Sequence, residues 1–151
     1  MSETFQTREQ KYATAVYSRV QNYIKVCVDK SPADKQASIK ANPAEDKNIK
    51  AYGSLAHKLP ILIRTSGLAQ ALAFVKARNE NNSPQYQLIK DLEAVMQQVG
   101  PLQGELFEQS RTTLFDDYIR LTEACMEALL WFKRFATSEL GVEQGDETEG
   151  A

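Results

Sequence analysis

Apolar residues recur at three- and four-residue steps through most of this chain, the period of helices that bury one face. The first stripe is Ala13, Val16, Val20, Tyr23, Ile24 and Cys27, and Thr7 with Gln10 three residues on forms a capping box that starts it. Ser31-Pro32 with Asp34, and Asn42-Pro43 with Glu45, each offer an N-cap, a proline at the first helical position and an acid in the first turn. The first of these signals precedes a short polar segment, 33–41, read as a connecting helix or an ordered loop. The second precedes a packed helix from Pro43 with Ile49, Tyr52, Leu55, Ala56 and Leu59 on one side. After the loop NENNSP (79–84), Ser83-Pro84 launches Leu88, Leu92, Val95, Met96 and Val99, stopped by Gly100-Pro101. Thr113 with Asp116 opens the last long helix, on which Leu114, Tyr118, Leu121, Cys125, Leu129, Phe132 and Phe135 recur.

One segment breaks the amphipathic rule. LPILIRTSGLAQALAFV, from Leu59 to Val75, has almost no polar face, yet it contains Pro60, Arg64 and Gly67. Proline kinks a continuing helix or opens a new one, and Ser66 ahead of Gly67-Leu68 can cap another start. The segment therefore predicts two or three consecutive helical pieces with the breakers at their corners, both buried, which accounts for the missing polar face. No alternation of the kind that marks a strand occurs. The expectation is an all-α, single-domain bundle of about five to seven helices with short loops. Its limits are a flexible N-terminus (1–6), a helical domain (7–140) and an acidic disordered tail (141–151).

At 151 residues, 42% hydrophobic and 25% charged, the chain has an ordinary globular balance and needs no second domain. Cys27 and Cys125 sit at apolar positions of helical patterns, where a free thiol acts as a small hydrophobe; a disulfide or a reactive thiol is the alternative. The N-terminus has no secretory apolar region and the Leu59 to Val75 stretch is too interrupted to span a bilayer, so a cytoplasmic protein without a membrane partner is expected.

Net charge is −2, but it is unevenly spread. Lys47, Lys50, Lys58, Arg64, Lys76, Arg78 and Lys90 face Glu80 alone between 47 and 90, whereas 91–127 holds eight acids against Arg111 and Arg120. After Arg134 only acids follow: Glu139, Glu143, Asp146, Glu147 and Glu149. Local fields of this kind leave room for a polyanionic partner despite the total.

Catalytic chemistry finds no foothold. His57 is the only histidine and lacks a nucleophile or metal-ligand partner in helical register, which favours a structural or surface role. Glu123 and Glu127 are four apart, but no Glu-x-x-His motif accompanies them, and Gly100 and Gly104 lack the Lys-Ser/Thr of a phosphate loop. The expectation is no enzyme, no metal and no cofactor. What remains is a set of cations, Lys50, Lys58, Arg64, Lys76, Arg78, Lys133 and Arg134, able to hold a sugar-phosphate backbone without reading bases; several also suit helix C-termini. Trp131, beside two of them, is a core ring or an interface anchor.

The run YGSLAHKLPILIRTSGLAQALAFVKAR (Tyr52 to Arg78), with Tyr118-Ile119-Arg120-Leu121-Thr122, Trp131-Phe132-Lys133-Arg134-Phe135-Ala136 and the opening Gln10-Lys11-Tyr12-Ala13, closely resembles the small all-helical subunit of the type III-B CRISPR RNA-guided effector, the Cmr complex. The likeness spans about residues 8 to 138. It implies a non-catalytic subunit of an antiviral effector whose copies stack beside the guide-RNA-bearing backbone subunits and help accommodate guide and target RNA. It also puts Leu59, Pro60, Ile63 and Gly67 at a structural corner, with Lys58 and Arg64 beside them and Trp131, Lys133 and Arg134 on a basic edge. The alternative is a generic helical protein-protein adaptor without RNA contact.

Overall fold

Seven α-helices occur among the described residues, 6–145 of a computed structural model: α1 (Arg8–Lys30), α2 (Ala33–Ala41), α3 (Lys47–Ser66), α4 (Leu68–Arg78), α5 (Pro84–Val99), α6 (Leu106–Thr112) and α7 (Phe115–Ser138). No strand is present among these residues, so the all-α expectation holds. Of the expected flexible start (1–6) and acidic tail (141–151), residues 1–5 and 146–151 lie outside them.

Helix α3 is the hub, packing on α7, α5, α4 and α1. Its buried side chains Ile49, Tyr52, Leu59 and Ile63 meet Val16 and Val20 of α1, Leu88 and Leu92 of α5, and Leu129 and Phe132 of α7 in one core. A polar knot lies inside. Tyr52 donates to Asp91 at 2.6 Å, Gln87 donates to the same carboxylate at 3.0 Å, and Arg19 approaches it at 3.6 Å. Tyr23 stacks on Tyr52 with ring centroids 4.3 Å apart. This network ties α1, α3 and α5 together, and burial raises the Asp91 pKa in spite of its hydrogen bonds. Cys27 and Cys125 are both buried free thiols, and burial pushes Cys125 up to about 12.

Side-chain acceptors at the N-cap start α1, α3, α5 and α6, whereas α2, α4 and α7 begin without one. Thr7 and Gln10 form the expected capping box. Ser31, by contrast, donates back to the Cys27 carbonyl at 2.8 Å and leaves α2 to begin after Pro32 without a side-chain cap. Pro43–Glu45 makes only a 3₁₀ turn; Asp46 starts α3 because its carboxylate accepts from both Asn48 and Ile49 backbone N–H groups. Thr113 does not open α7 but ends α6, and Leu114 occupies the α7 N-cap position with no side-chain bond. Leu114 therefore leaves the expected apolar stripe: it is 79% exposed, and Phe115 beside it 73%.

The corner also differs from expectation. Pro60 does not break the helix, which runs unbroken from Lys47 to Ser66. A proline there costs about 3 kcal/mol, but Leu59 and Ile63 beside it are fully or nearly fully buried, worth roughly 1.5–3 kcal/mol each, which exceeds that cost. The single break is Gly67, at φ 88°, which ends α3 with its N–H on the Ile63 carbonyl at 2.8 Å and starts α4 directly. Ser66 is the last residue of α3 and caps nothing. Tyr118 of α7 takes over that task, its hydroxyl accepting from the Ala69 N–H at 3.1 Å.

The packed body runs beyond the expected limit of 140. After α7, Gly141 turns the chain at φ 72° and the Val142 N–H reaches back to the Ala136 carbonyl at 2.8 Å, satisfying one of the helix's last carbonyls. Leu140 and Val142 are fully buried. Val142 fills a notch left by Gly53 of α3, where an added Cβ would lie 2.8 Å from the valine Cβ.

Candidate nucleic-acid interface

Of the seven cations the sequence singles out, the fold places six on three surfaces and sets Lys76 apart from them. Lys50 and Arg64 lie fourteen residues apart on α3, with His57 midway. Heptad spacing drifts only ~20° per step on a helix, so the three side chains follow one stripe about 21 Å long at 1.5 Å per residue. Lys50 is half-buried and Arg64 exposed.

The second surface is a groove between α3 and α4 of about 320 Å³, where Lys58 and Arg78 join Leu55, Leu62, Phe74 and Val75. Arg78 lies over the Phe74 ring at 5.0 Å, a contact that holds the guanidinium in place beside the apolar floor. Ile61 and Phe74 remain 44% and 47% exposed at this groove.

The third surface lies between α3 and α7. Lys133 and Arg134 share it with His57, Leu130 and Thr137, and Glu143 of the returning chain lines it too. Arg134 sits 5.3 Å over Trp131, which packs against the core on its other side and tilts onto Phe135. The tryptophan is thus both core and support for the basic edge. His57 belongs to the scaffold: it is buried, and its Nε2 lies 2.8 Å from the Val142 carbonyl. A carbonyl only accepts, so Nε2 carries the proton and Nδ1 is left buried without a partner.

Lys76 stands apart. Two residues from Arg78 on α4, it points elsewhere, 4.8 Å from the Phe107 ring and 5.5 Å from Tyr86. Lys90 and Arg111 approach the same two rings, Tyr86 at 5.4 Å and Phe107 at 4.7 Å. Sequence reasoning did not assemble this cation–aromatic cluster, because its members come from α4, α5 and α6. Only the four-residue spacings Tyr86 to Lys90 and Phe107 to Arg111 hint at it.

The pairing pattern is informative. Ion pairs within 4 Å engage Arg8 with Glu127, Arg19 with Asp91, and Arg120 with Asp117. Among the described residues Lys50, Arg64, Lys76, Arg78, Lys133 and Arg134 form none, so these carboxylates are spent on other arginines. Neutralisation of Arg64 by the chain's own acids, which would argue against a polyanion partner, is absent among the described residues. No cluster of three His, Cys, Asp or Glu side chains able to hold a metal occurs among them, and no helix there is long and apolar enough to cross a membrane.

Comparison with known proteins agrees on one family. The family model described as CRISPR-associated protein (Cas_Cmr5) matches residues 8–139. The CRISPR system Cmr subunit Cmr5 of Thermus thermophilus is 38% identical over 92 residues, covering 56% of this chain and 71% of that protein. The crystal structure of a CRISPR-associated Cmr5 family protein from the same organism superposes with a TM-score of 0.60 at 30% identity, over 89% of this chain and 97% of the other. With a helical body, a basic α3 and matches that span nearly the whole packed region, this chain belongs to the Cmr5 family, the small all-helical subunits of the type III-B CRISPR Cmr complex.

Proposed function

We propose that the chain is a non-catalytic, cytoplasmic subunit that packs beside guide-RNA-bearing backbone subunits and further copies of itself, and that its cations hold the paired guide and target RNA by their phosphates. The observation that carries this reading is the set of unpaired cations on α3 and α7. Lys50, Arg64, Lys133 and Arg134 form no ion pair among the described residues, although the chain carries 20 acids against 18 basic residues. Leaving like charges unneutralised on adjacent helices costs self-repulsion, which an anionic ligand relieves. Backbone contacts of this type position an RNA without reading its sequence, and in such an effector base pairing supplies the sequence. No cofactor or metal is required for that role.

The test is a complex assembled with the triple variant K50A/R64A/K133A. Target-RNA affinity falls, and the slope of log affinity against log salt is shallower by about 2, near 0.7 per lost phosphate contact on a single strand. An unchanged salt slope with intact assembly would refute the RNA contact. A protein-docking role for the α3/α4 groove is the second reading, favoured by exposed Ile61 and Phe74 at its wall. It predicts loss of a partner subunit from the complex, without salt dependence, on F74A.

A further inference from the structure

Five of the seven large apolar side chains exposed among the described residues fall into two patches. One is the groove between α3 and α4, where Ile61 and Phe74 stand over Leu55 and Leu62 and Arg78 lies at the rim. The other is the start of α7, where Leu114, Phe115 and Ile119 are exposed. Helix formation does not ask for them there: Leu114 holds the N-cap position, where a side-chain acceptor is preferred, and makes no cap. Phe115 and Ile119, four residues apart, stand on one side of α7. Asp116 lies beside them, and Glu123 follows Ile119 by one more four-residue step. Neither acid forms an ion pair among the described residues, and neither does Arg78, which rests 5.0 Å over the Phe74 ring. The α7 knob does not fill the groove of its own chain. Tyr118 pins the start of α7 to Ala69 at the head of α4, whereas Phe74 and Arg78 line the groove from the later turns of that helix.

From these two surfaces we infer that the α3/α4 groove receives the start of α7 from a second copy of this chain. Phe115 and Ile119 enter the groove, and Asp116 and Glu123 meet Arg78 at its rim. The inference rests on the reading above that copies pack beside one another, and it names the surfaces that meet. Three features support it. Apolar anchors four residues apart on one helix are the form in which a helix enters a groove. The charges are complementary, with two acids beside the knob and Arg78 beside the groove, none of them in an ion pair among the described residues. The two surfaces are also different parts of the molecule, so the contact is heterologous: each copy in a pair keeps either a groove or a knob free, and the contact repeats. Lys133 follows Phe115 by eighteen residues, about 27 Å along α7, so the basic edge stays open to RNA. A contact of so few side chains is far below a standard interface. It forms where the larger assembly already holds copies close together at high effective concentration.

The test puts a photoreactive benzoylphenylalanine in place of Phe74 in the full chain, within the assembled complex. Irradiation gives a product of two copies, and peptide mapping finds the second copy attached through residues 114–123. F115A, which changes a side chain outside the core, lowers that yield several-fold without loss of helicity. R78E lowers it as well, and adding D116R and E123R to the same chain restores it, because each groove then meets a knob of opposite sign. Adducts on another part of the second copy, or on a different subunit, would overturn the inference, as would a yield indifferent to F115A. A lysine-reactive cross-linker run in parallel separates this contact from the packing of copies in general. Copies joined by that reagent, with no photoadduct on 114–123, would keep the packing and overturn the contact. No copy-to-copy product from either reagent would overturn both.

Discussion

Replacing Gly53 with alanine sets two opposed effects against each other. Gly53 is an ordinary residue inside α3, so helix propensity alone makes alanine stabilising by about 0.8–1 kcal/mol. The new Cβ, however, would sit 2.8 Å from both Cβ and Cγ2 of Val142, closer than such atoms approach, and α3 is clamped on several sides and cannot retreat. Val142 must leave. Exposing its fully buried side chain forfeits roughly 1.5–2 kcal/mol, and loss of the His57 bond to its carbonyl forfeits about 1 kcal/mol more. The net is a destabilisation of about 2 kcal/mol, or a fall in Tm of roughly 4–8 °C for a chain of this size. Thermal unfolding by circular dichroism reads the sign directly, and hydrogen exchange at the Val142 amide, bonded to Ala136, reports release of the returning chain. V142G completes a double-mutant cycle: in that background G53A becomes stabilising by its propensity alone, giving a coupling of about 3 kcal/mol. A higher Tm for the single G53A variant, with the Val142 amide still protected, would refute the packing argument.

Tyr118→Phe removes the hydroxyl that accepts from the Ala69 N–H at the start of α4; the orphaned donor costs about 1 kcal/mol, measured by chemical denaturation as a lower midpoint with an unchanged m-value. Asp91 has a folded pKa above its ordinary value of 3.8, chiefly from burial, so its protonated form is favoured in the folded chain. Its contribution is complete below about pH 3.8 and is lost as pH rises through the raised folded value. D91N removes this dependence, and a Tm-against-pH series that keeps the wild-type shape in the variant would contradict it.

How far the sequence carries depends on what kind of signal a feature leaves. Helical faces were legible because burial imposes a period, and Tyr52, Leu59, Leu72, Leu92 and Phe132 are all buried as that period requires. Boundaries were less so: Asp46, with a local cap on Asn48 and Ile49, started α3 in place of Pro43, Gly67 at positive φ started α4 in place of Ser66, and Leu114 preceded α7 in place of Thr113 without any side-chain cap. Pro60 is the clearest case: local chemistry makes it a breaker, and tertiary burial on both sides overrides it. The cations themselves were legible, but their grouping was not. Lys58 with Arg78, and Lys133 with Arg134 and Glu143, are brought together by helix packing, while Lys76 is turned away onto Phe107. Gly53 and Val142, far apart along the chain, left no sequence signal at all; their fit exists only once α3 and the end of α7 lie side by side.

The central claim is that the basic stripe of α3 and the basic edge of α7 face RNA in the assembled complex. Photo-crosslinking of thiouridine-substituted target RNA to that complex, followed by peptide mapping, tests it most directly. The account predicts adducts in this subunit on peptides holding Lys50 or Arg64 of α3 and Lys133 or Arg134 of α7. Adducts absent from this subunit, or confined to its α1 and α2 surface, would contradict it.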